Sequence, residues 1–207
     1  AVAGLETYFG TPLFISNRQR SALTTCGILV ERRTRAALKH LRDGAKNALR
    51  EAGNKAVRRQ NFELSVTASQ LRNLIAIANA GSFTVAARSL GLSQPTVHRT
   101  ARNLEAVAGL PFFIARPSGV HLTAAAEAFM RGAKLAQSEL RQAVEDISRE
   151  TGRERGTFVL GSLPLARTAI VPRAIHAMVS TVEGFEVRVV EGRYAELLRS
   201  LREGDID

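Results

Sequence analysis

The chain has 207 residues, 45% of them hydrophobic, and carries 29 Lys and Arg against 19 Asp and Glu, a formal net charge of +10. That length suits one or two domains with cores of their own, and the charge favours a polyanionic partner, a cationic surface on an ordinary globular protein being the plainer alternative. The single cysteine, Cys26, excludes an intrachain disulfide and a cysteine metal cluster, and with no apolar run near the ~18 residues of a membrane span and no basic segment opening AVAGLETYFG, the expectation is a cytoplasmic protein without membrane contact.

The first 60 residues are legible through a repeat. Sliding the chain by 99 positions lays LETYFGTPLFISNRQRSALTTCG (5–27) on LEAVAGLPFFIARPSGVHLTAAA (104–126) without a gap. Leu5/Leu104, Glu6/Glu105, Gly10/Gly109, Pro12/Pro111, Phe14/Phe113, Leu23/Leu122 and Thr24/Thr123 coincide, as do Arg32/Arg131, Leu41/Leu140 and Arg42/Arg141 beyond. Nothing before Leu5 corresponds to residues 69–99, so the expectation is a chain that starts inside a domain, with 1–60 a partial first unit. Between Arg18 and Arg59 stand a dozen basic residues against Glu31, Asp43 and Glu51. A helix over Arg32–Arg50 can therefore meet phosphates in a salt-dependent way, or be a solvated face. EAGNKAVRRQNFELS (51–65) breaks the helical period and marks a boundary.

From Ser69 to Ala80, Leu71, Leu74, Ile75 and Ala78 recur at helical spacing. Ser82 or Thr84 caps a second helix, because a short hydroxyl accepts from an early N–H. Gly91 ends it in the left-handed conformation. Ser93 caps a third helix, where an early Pro95 costs little. Phe112–Ile114 and Val120–Leu122 read as short strands around the turn RPSG. A long helix follows from Thr123 to about Glu150, with Ala125, Phe129, Ala133, Ala136, Leu140, Ala143, Val144 and Ile147 in one stripe. ISRETGRERG (147–156) is the next boundary. Beyond it Thr157–Leu160 reads as a strand, Pro164 or Leu165 to Val179 as a helix, GFEVRVVEG as a second strand, and RYAELLRSLREGDID as the start of another helix, the opening of a parallel α/β sheet.

Two helices joined by a tight turn, preceded by a third and followed by a β-ribbon, make a winged helix-turn-helix. Ala86 and Ala87 are small so that the second and third helices can cross closely. The third helix then shows Gln94, Thr96, His98, Arg99 and Arg102 outward. Gln and Arg suit base edges, while Ser82, Thr84, Ser93 and the backbone N–H groups beside Pro95 suit phosphate oxygens. Arg116, on the wing, is placed for the flanking backbone or minor groove. For each residue singly, a solvated helix face is the alternative.

The pieces GSF–x–x–AA–x–x–L, SQP–x–V–x–R, LE–x–x–x–G–x–P–x–F and Leu122-Thr123 resemble the N-terminal domain of LysR-type transcriptional regulators. The resemblance covers 69–150, extends to 157–207 as the start of the family's effector-binding domain, and makes 1–47 resemble the wing and linker helix of a second such domain. His98 stands where the family commonly has Ser, Ala126 where Gly is usual, and Ala115 where a polar residue is usual. What it implies is a mainly α fold: a winged helix-turn-helix with a long linker helix, then the start of an α/β periplasmic-binding-protein-like effector domain. The expected division is 1–60 partial first winged unit, 65–122 DNA-binding domain, 123–150 linker and dimerisation helix, and 157–207 incomplete effector domain.

The implied partners are double-stranded DNA, a small-molecule effector and further copies of the chain, as a homodimer or homotetramer through the linker helix. Packing of that helix on its own winged domain is the rival reading. In open α/β sheets ligands sit beyond the strand carboxyl ends, which points to Ser162, Leu163 and Leu165 as one effector wall or as an ordinary strand-to-helix turn. An enzyme is not expected: His40, His98, His121 and His176 lack metal-ligand spacing, and no phosphate loop or nucleophile set is legible. No catalytic residue, metal or cofactor is predicted. A nonspecific basic architectural DNA-binding protein is the alternative function.

Overall fold

The computed structural model describes residues 2–17, 20–53, 61–152, 156–181 and 185–207. They fall into two compact units, one of residues 38–136 and one of residues 1–37 with 137–207.

The unit 38–136 contains the three-helix domain. Phe62–Ser65 is a single 3-10 turn leading into α3 (Ala68–Ala80). Thr67 closes the start of α3 reciprocally: its Oγ1 accepts from Gln70 N, while Gln70 Oε1 accepts from Thr67 N. Then come α4 (Phe83–Leu90) and α5 (Gln94–Ala108). Of the two hydroxyls offered for the start of α4, Ser82 is the cap; its Oγ accepts from Val85 N, and Thr84 lies inside the helix. Gly91 ends α4 at φ 65°, a conformation that crowds any Cβ. Ser93 caps α5 by accepting from Thr96 N.

Small residues bring α4 against α5. Ala86, Ala87, Val97 and Ala101 are buried together with Ile77, and Phe83 and Leu90 close the edges. A second cluster lies below, where Phe62, Leu74, Leu104, Phe112 and Phe129 meet. The Phe129 ring centre stands 5.0 Å from that of Phe62 and 5.8 Å from that of Phe112, tilted rather than stacked flat. The ribbon is β3 (Phe113–Arg116) paired antiparallel with β4 (Gly119–Leu122), Phe113 opposite Leu122. β3 starts one residue and ends two residues later than expected, and β4 starts one residue earlier. Phe112 precedes the ribbon, because its side chain is wholly buried in the core.

In the other unit, α1 (Val2–Phe9) precedes β1 (Phe14–Asn17) and β2 (Arg20–Leu23), paired with Phe14 opposite Leu23. The two ribbons thus share one register, 99 positions apart. Their anchors agree as well. Glu6 Oε1 accepts from Leu13 N at 2.8 Å and Phe14 N at 3.2 Å; Glu105 Oε1 accepts from Phe112 N at 2.8 Å and Phe113 N at 3.1 Å. Thr24 Oγ1 donates to Pro12 O and Thr123 Oγ1 to Pro111 O, both at 2.8 Å.

Two long helices contribute a segment to each unit: α2 (Thr25–Ala52) and α6 (Ala124–Glu150). The remaining elements are β5 (Gly156–Ser162), α7 (Ile170–Thr181), β6 (Phe185–Glu191) and α8 (Tyr194–Glu203), with β5 and β6 parallel. The strand expected to end at Leu160 runs on to Ser162. The helix expected from Pro164 or Leu165 is instead a 3-10 turn, Pro164–Ala166, followed by α7. Pro172 explains the break: deep in a longer helix it would lose a hydrogen bond and press on the carbonyl four residues back, whereas in the first turn of α7 it does neither. Residues 205–207 run beside β5, where Val159 N donates to Asp207 Oδ2 and Asp207 N to Val159 O, both at 2.9 Å.

Candidate nucleic-acid interface

The period of α5 separates a buried from an open face. Val97, Ala101, Leu104 and Ala108 are buried; Gln94, Pro95, His98, Arg99 and Arg102 are exposed, one turn after another. All the residues expected to face outward therefore share one stripe, apart from Thr96, which is half-buried and tied to the cap through a 2.8 Å contact with Ser93 Oγ. The stripe is held rigidly from beneath. Asn73, 2% exposed on α3, donates through Nδ2 to Val97 O at 2.9 Å, fixing α3 to the second turn of α5.

The turn between α4 and α5 is tied by side chains as well. Thr84 Oγ1 donates to Gln94 Oε1 at 3.1 Å, joining two of the expected contact residues. That bond turns the Gln94 carboxamide so that its oxygen faces α4. His98 leans on Phe83, ring centres 5.1 Å apart, while remaining exposed. Arg102 donates to Glu105 Oε2 at 2.6 Å. Glu105 thus spans the end of the stripe and the start of the wing, since its other oxygen anchors Phe112 and Phe113.

The wing itself is seated on the α3–α4 corner. Val120 N donates to Gly81 O at 2.8 Å. Gly119 has φ 122°, and a Cβ there would fall 2.5 Å from Gly81 O, so only glycine lets the ribbon approach. Arg116 is exposed at the wing, and beyond it Ser118 Oγ and His121 Nε2 lie 2.8 Å apart. Two exposed polar side chains escaped the sequence reading. Asn103 lies on the α5 stripe one turn after Arg99, where the helical period would have found it, and Arg88 lies in the last turn of α4.

In the α/β segment, a cavity of about 560 Å³ is lined by Ser162, Arg167, Val171, Ile175, Val189 and Glu191. Ser162 is buried at its wall, whereas Leu163 and Leu165 are 44% and 93% exposed and do not line it. Among the described residues no group of His, Cys, Asp and Glu is arranged to hold a metal ion, and no helix is long and apolar enough to cross a membrane.

Residues 68–127 match the family model described as "Bacterial regulatory helix-turn-helix protein, lysR family". The chain is 34% identical over 137 residues to the HTH-type transcriptional regulator PcaQ of Agrobacterium fabrum, covering 66% of this chain and 44% of that protein. To the HTH-type transcriptional regulator GalR of Pseudomonas putida it is 32% identical over 209 residues, covering all of this chain and 50% of that protein. That second alignment includes the first repeat copy. Among solved structures, a CbnR DNA-binding domain in complex with DNA is 36% identical, covering 42% of this chain and all of that one, with a TM-score of 0.38. The chain spans about half the length of the curated relatives it matches.

Proposed function

Through residues 68–127 the chain belongs to the LysR family of bacterial regulatory helix-turn-helix proteins, and on that premise we propose that it is the DNA-reading part of a transcriptional regulator. The observation that carries this reading is the α5 stripe: Gln94, His98, Arg99 and Arg102 exposed on a helix whose other face is fully buried, with Arg116 on the adjoining wing. An α-helix fits the major groove of B-form DNA, and Gln and Arg are the side chains that can bond base edges bidentately. Ser82, Thr84, Ser93, Pro95 and Thr96 surround the start of α4 and α5, where backbone N–H groups suit phosphate oxygens. The proposed division places DNA reading in 65–122, the linker in 123–150 and effector sensing in 157–207, with 1–60 a partial first winged unit. The reading carries with it a cytoplasmic regulator with no catalytic activity.

Effector sensing is proposed at the carboxyl end of β5. Ser162 lines the cavity there, and Leu163 and Leu165 extend the same turn outward. A bound effector acts by favouring one arrangement of paired DNA-binding domains over another, through different affinities for the two.

The test is selection of duplexes from a random pool with the whole chain, followed by competition at fixed salt. A sequence reader prefers the selected duplex to its scrambled version by three orders of magnitude or more. Equal competition by scrambled DNA would leave only the nonspecific basic protein.

A further inference from the structure

We propose that the linker helix α6 takes its partner from its own chain: α2, the equivalent helix of the first repeat copy, occupies the face of α6 that a second copy's linker helix would otherwise take. The inference rests on the repeat and on helix contacts within each unit, not on the DNA-binding reading.

In the unit 38–136, the later half of α2 lies against the early half of α6 with nothing between the backbones at one point. A Cβ on Gly132 would stand 2.5 Å from His40 O and 2.9 Å from the Gly44 Cα, and one on Gly44 would stand 3.1 Å from the Gly132 Cα. In the other unit, the early half of α2 meets the later half of α6 through Arg33. Its Nε donates to Asp146 Oδ2 at 2.8 Å, and its Nη1 to Glu139 Oε2 at 2.9 Å and Gln142 Oε1 at 2.5 Å. Arg32 adds a 3.3 Å contact to the same Asp146 oxygen. Below these, Cys26 of α2 and Ile147 of α6 are buried with Leu13.

The two sets of contacts are one arrangement made twice. Advance Gly44 by 99 and set Gly132 back by 99, and the pair becomes Ala143 and Arg33; Ala143 is buried between Gln142 and the ion-paired Asp146, the residues Arg33 meets. Helix pairs with roles exchanged in this way are what two copies of one sequence form. The copies have nevertheless ceased to be interchangeable. In a pair of two α6 helices the place of Arg33 falls to Gly132, which leaves only Arg131, in the place of Arg32, to face Asp146 and no guanidinium for Glu139 and Gln142. In a pair of two α2 helices those acceptors become Asn47, His40 and Asp43. α2 with α6 sets Arg33 against two carboxylates and Gln142, whereas the α2 pair offers it the one carboxylate of Asp43, and a partly buried carboxylate deprived of its cation is costly.

The sequence of α2 thus selects α6, which follows it in the same chain beyond the three-helix domain. Association between whole chains is left to other surfaces, such as the exposed Leu140 and Val144 of α6.

The experiment places cysteines at Arg32→Cys and Arg149→Cys, whose side chains both reach Asp146, in the full chain with Cys26→Ala and Arg33 untouched, and treats it at submicromolar concentration with a short bismaleimide. Equal amounts of unlabelled and nitrogen-15 chains are mixed beforehand through an unfolding and refolding cycle. The proposal expects most of the product at monomer mass, with each cross-linked peptide pair of one isotope type. Dimer-mass product or mixed-isotope pairs overturn it, as does an absent cross-link in a chain whose helicity matches the parent. Should the cysteine chain not fold, Arg33→Ala in the parent decides: an intramolecular pair loses the same Tm at 1 and 100 µM, whereas a Tm loss that varies with concentration overturns the proposal. The cross-link needs no DNA, so a chain that selects no duplex yet links within itself refutes the functional reading alone.

Discussion

Arg99 and Gln94 are exposed on the capped, well-buttressed start of α5, and discrimination between sequences is expected to turn on them. Replacing either by Ala should weaken binding to a selected duplex by ~1–3 kcal/mol and bring it closer to binding of scrambled DNA, measured by fluorescence anisotropy at constant salt. Glu105 should behave differently. Its carboxylate accepts from Phe112 N and Phe113 N and holds Arg102, so Glu105→Ala should cost about 1–3 kcal/mol in stability, read by urea unfolding, before any effect on DNA is considered. The recurrence of Glu at 6 and 105 was plain in the sequence, but its reason was not. A carboxylate that bonds backbone seven and eight residues ahead has no local signature, because the chain must first reverse direction. The choice between Ser82 and Thr84 was likewise out of reach, since both are short hydroxyls near one helix start. What decides it is the left-handed Gly81 before Ser82, which leaves Ser82 extended and Thr84 already helical.

At the level of elements, the helix pair should respond to acid with a sign set by two neighbouring carboxyls. Burial pushes the Asp146 carboxyl up, but hydrogen bonds and charge from Arg33 and Arg32 outweigh it and hold it below the usual carboxylate range. Asp146 therefore contributes stability that is present above its unfolded pKa and lost as pH falls through the lower folded value. Thermal melts of the parent and Asp146→Asn should differ at neutral pH and converge in strong acid. Glu145 runs the other way. Burial first, and the charge of Asp207 second, raise its carboxyl, so its ionisation weighs against the fold as pH rises through that value. Glu145→Gln should accordingly raise Tm at pH 7 and change little well below the ordinary glutamate pKa. Helical period and caps made α3, α4, α5 and α6 readable almost to the residue, because their apolar stripes and start signals agree. In the segment after Ser162 period and proline conflict: the apolar spacing continues through 164–179, but Pro172 admits a helix only as part of its first turn. That α2 and α6 pair within the chain was hidden for another reason. The apolar stripe announced that α6 needed a partner, and only the asymmetry between Arg33 and Gly132 says which one.

For the whole molecule, a charge of +10 sets how binding depends on salt rather than which sequence is bound. If six to ten phosphates are neutralised, affinity should fall by about 10³–10⁵ between 50 and 200 mM salt, and the slope of log K against log salt gives their number. Removing Lys46 or Arg50 of α2 reduces that slope if this helix touches DNA and leaves it unchanged if its cations are only solvated. The seating of α2 on α6 also bears on fidelity in a crowded cell. Two segments of one chain meet at an effective concentration fixed by their connection rather than by abundance, so a stray homologous helix has to exceed that concentration to compete. Mixed complexes with neighbouring regulators would be suppressed by covalent continuity alone, leaving each such molecule electrically and geometrically insulated from its kin.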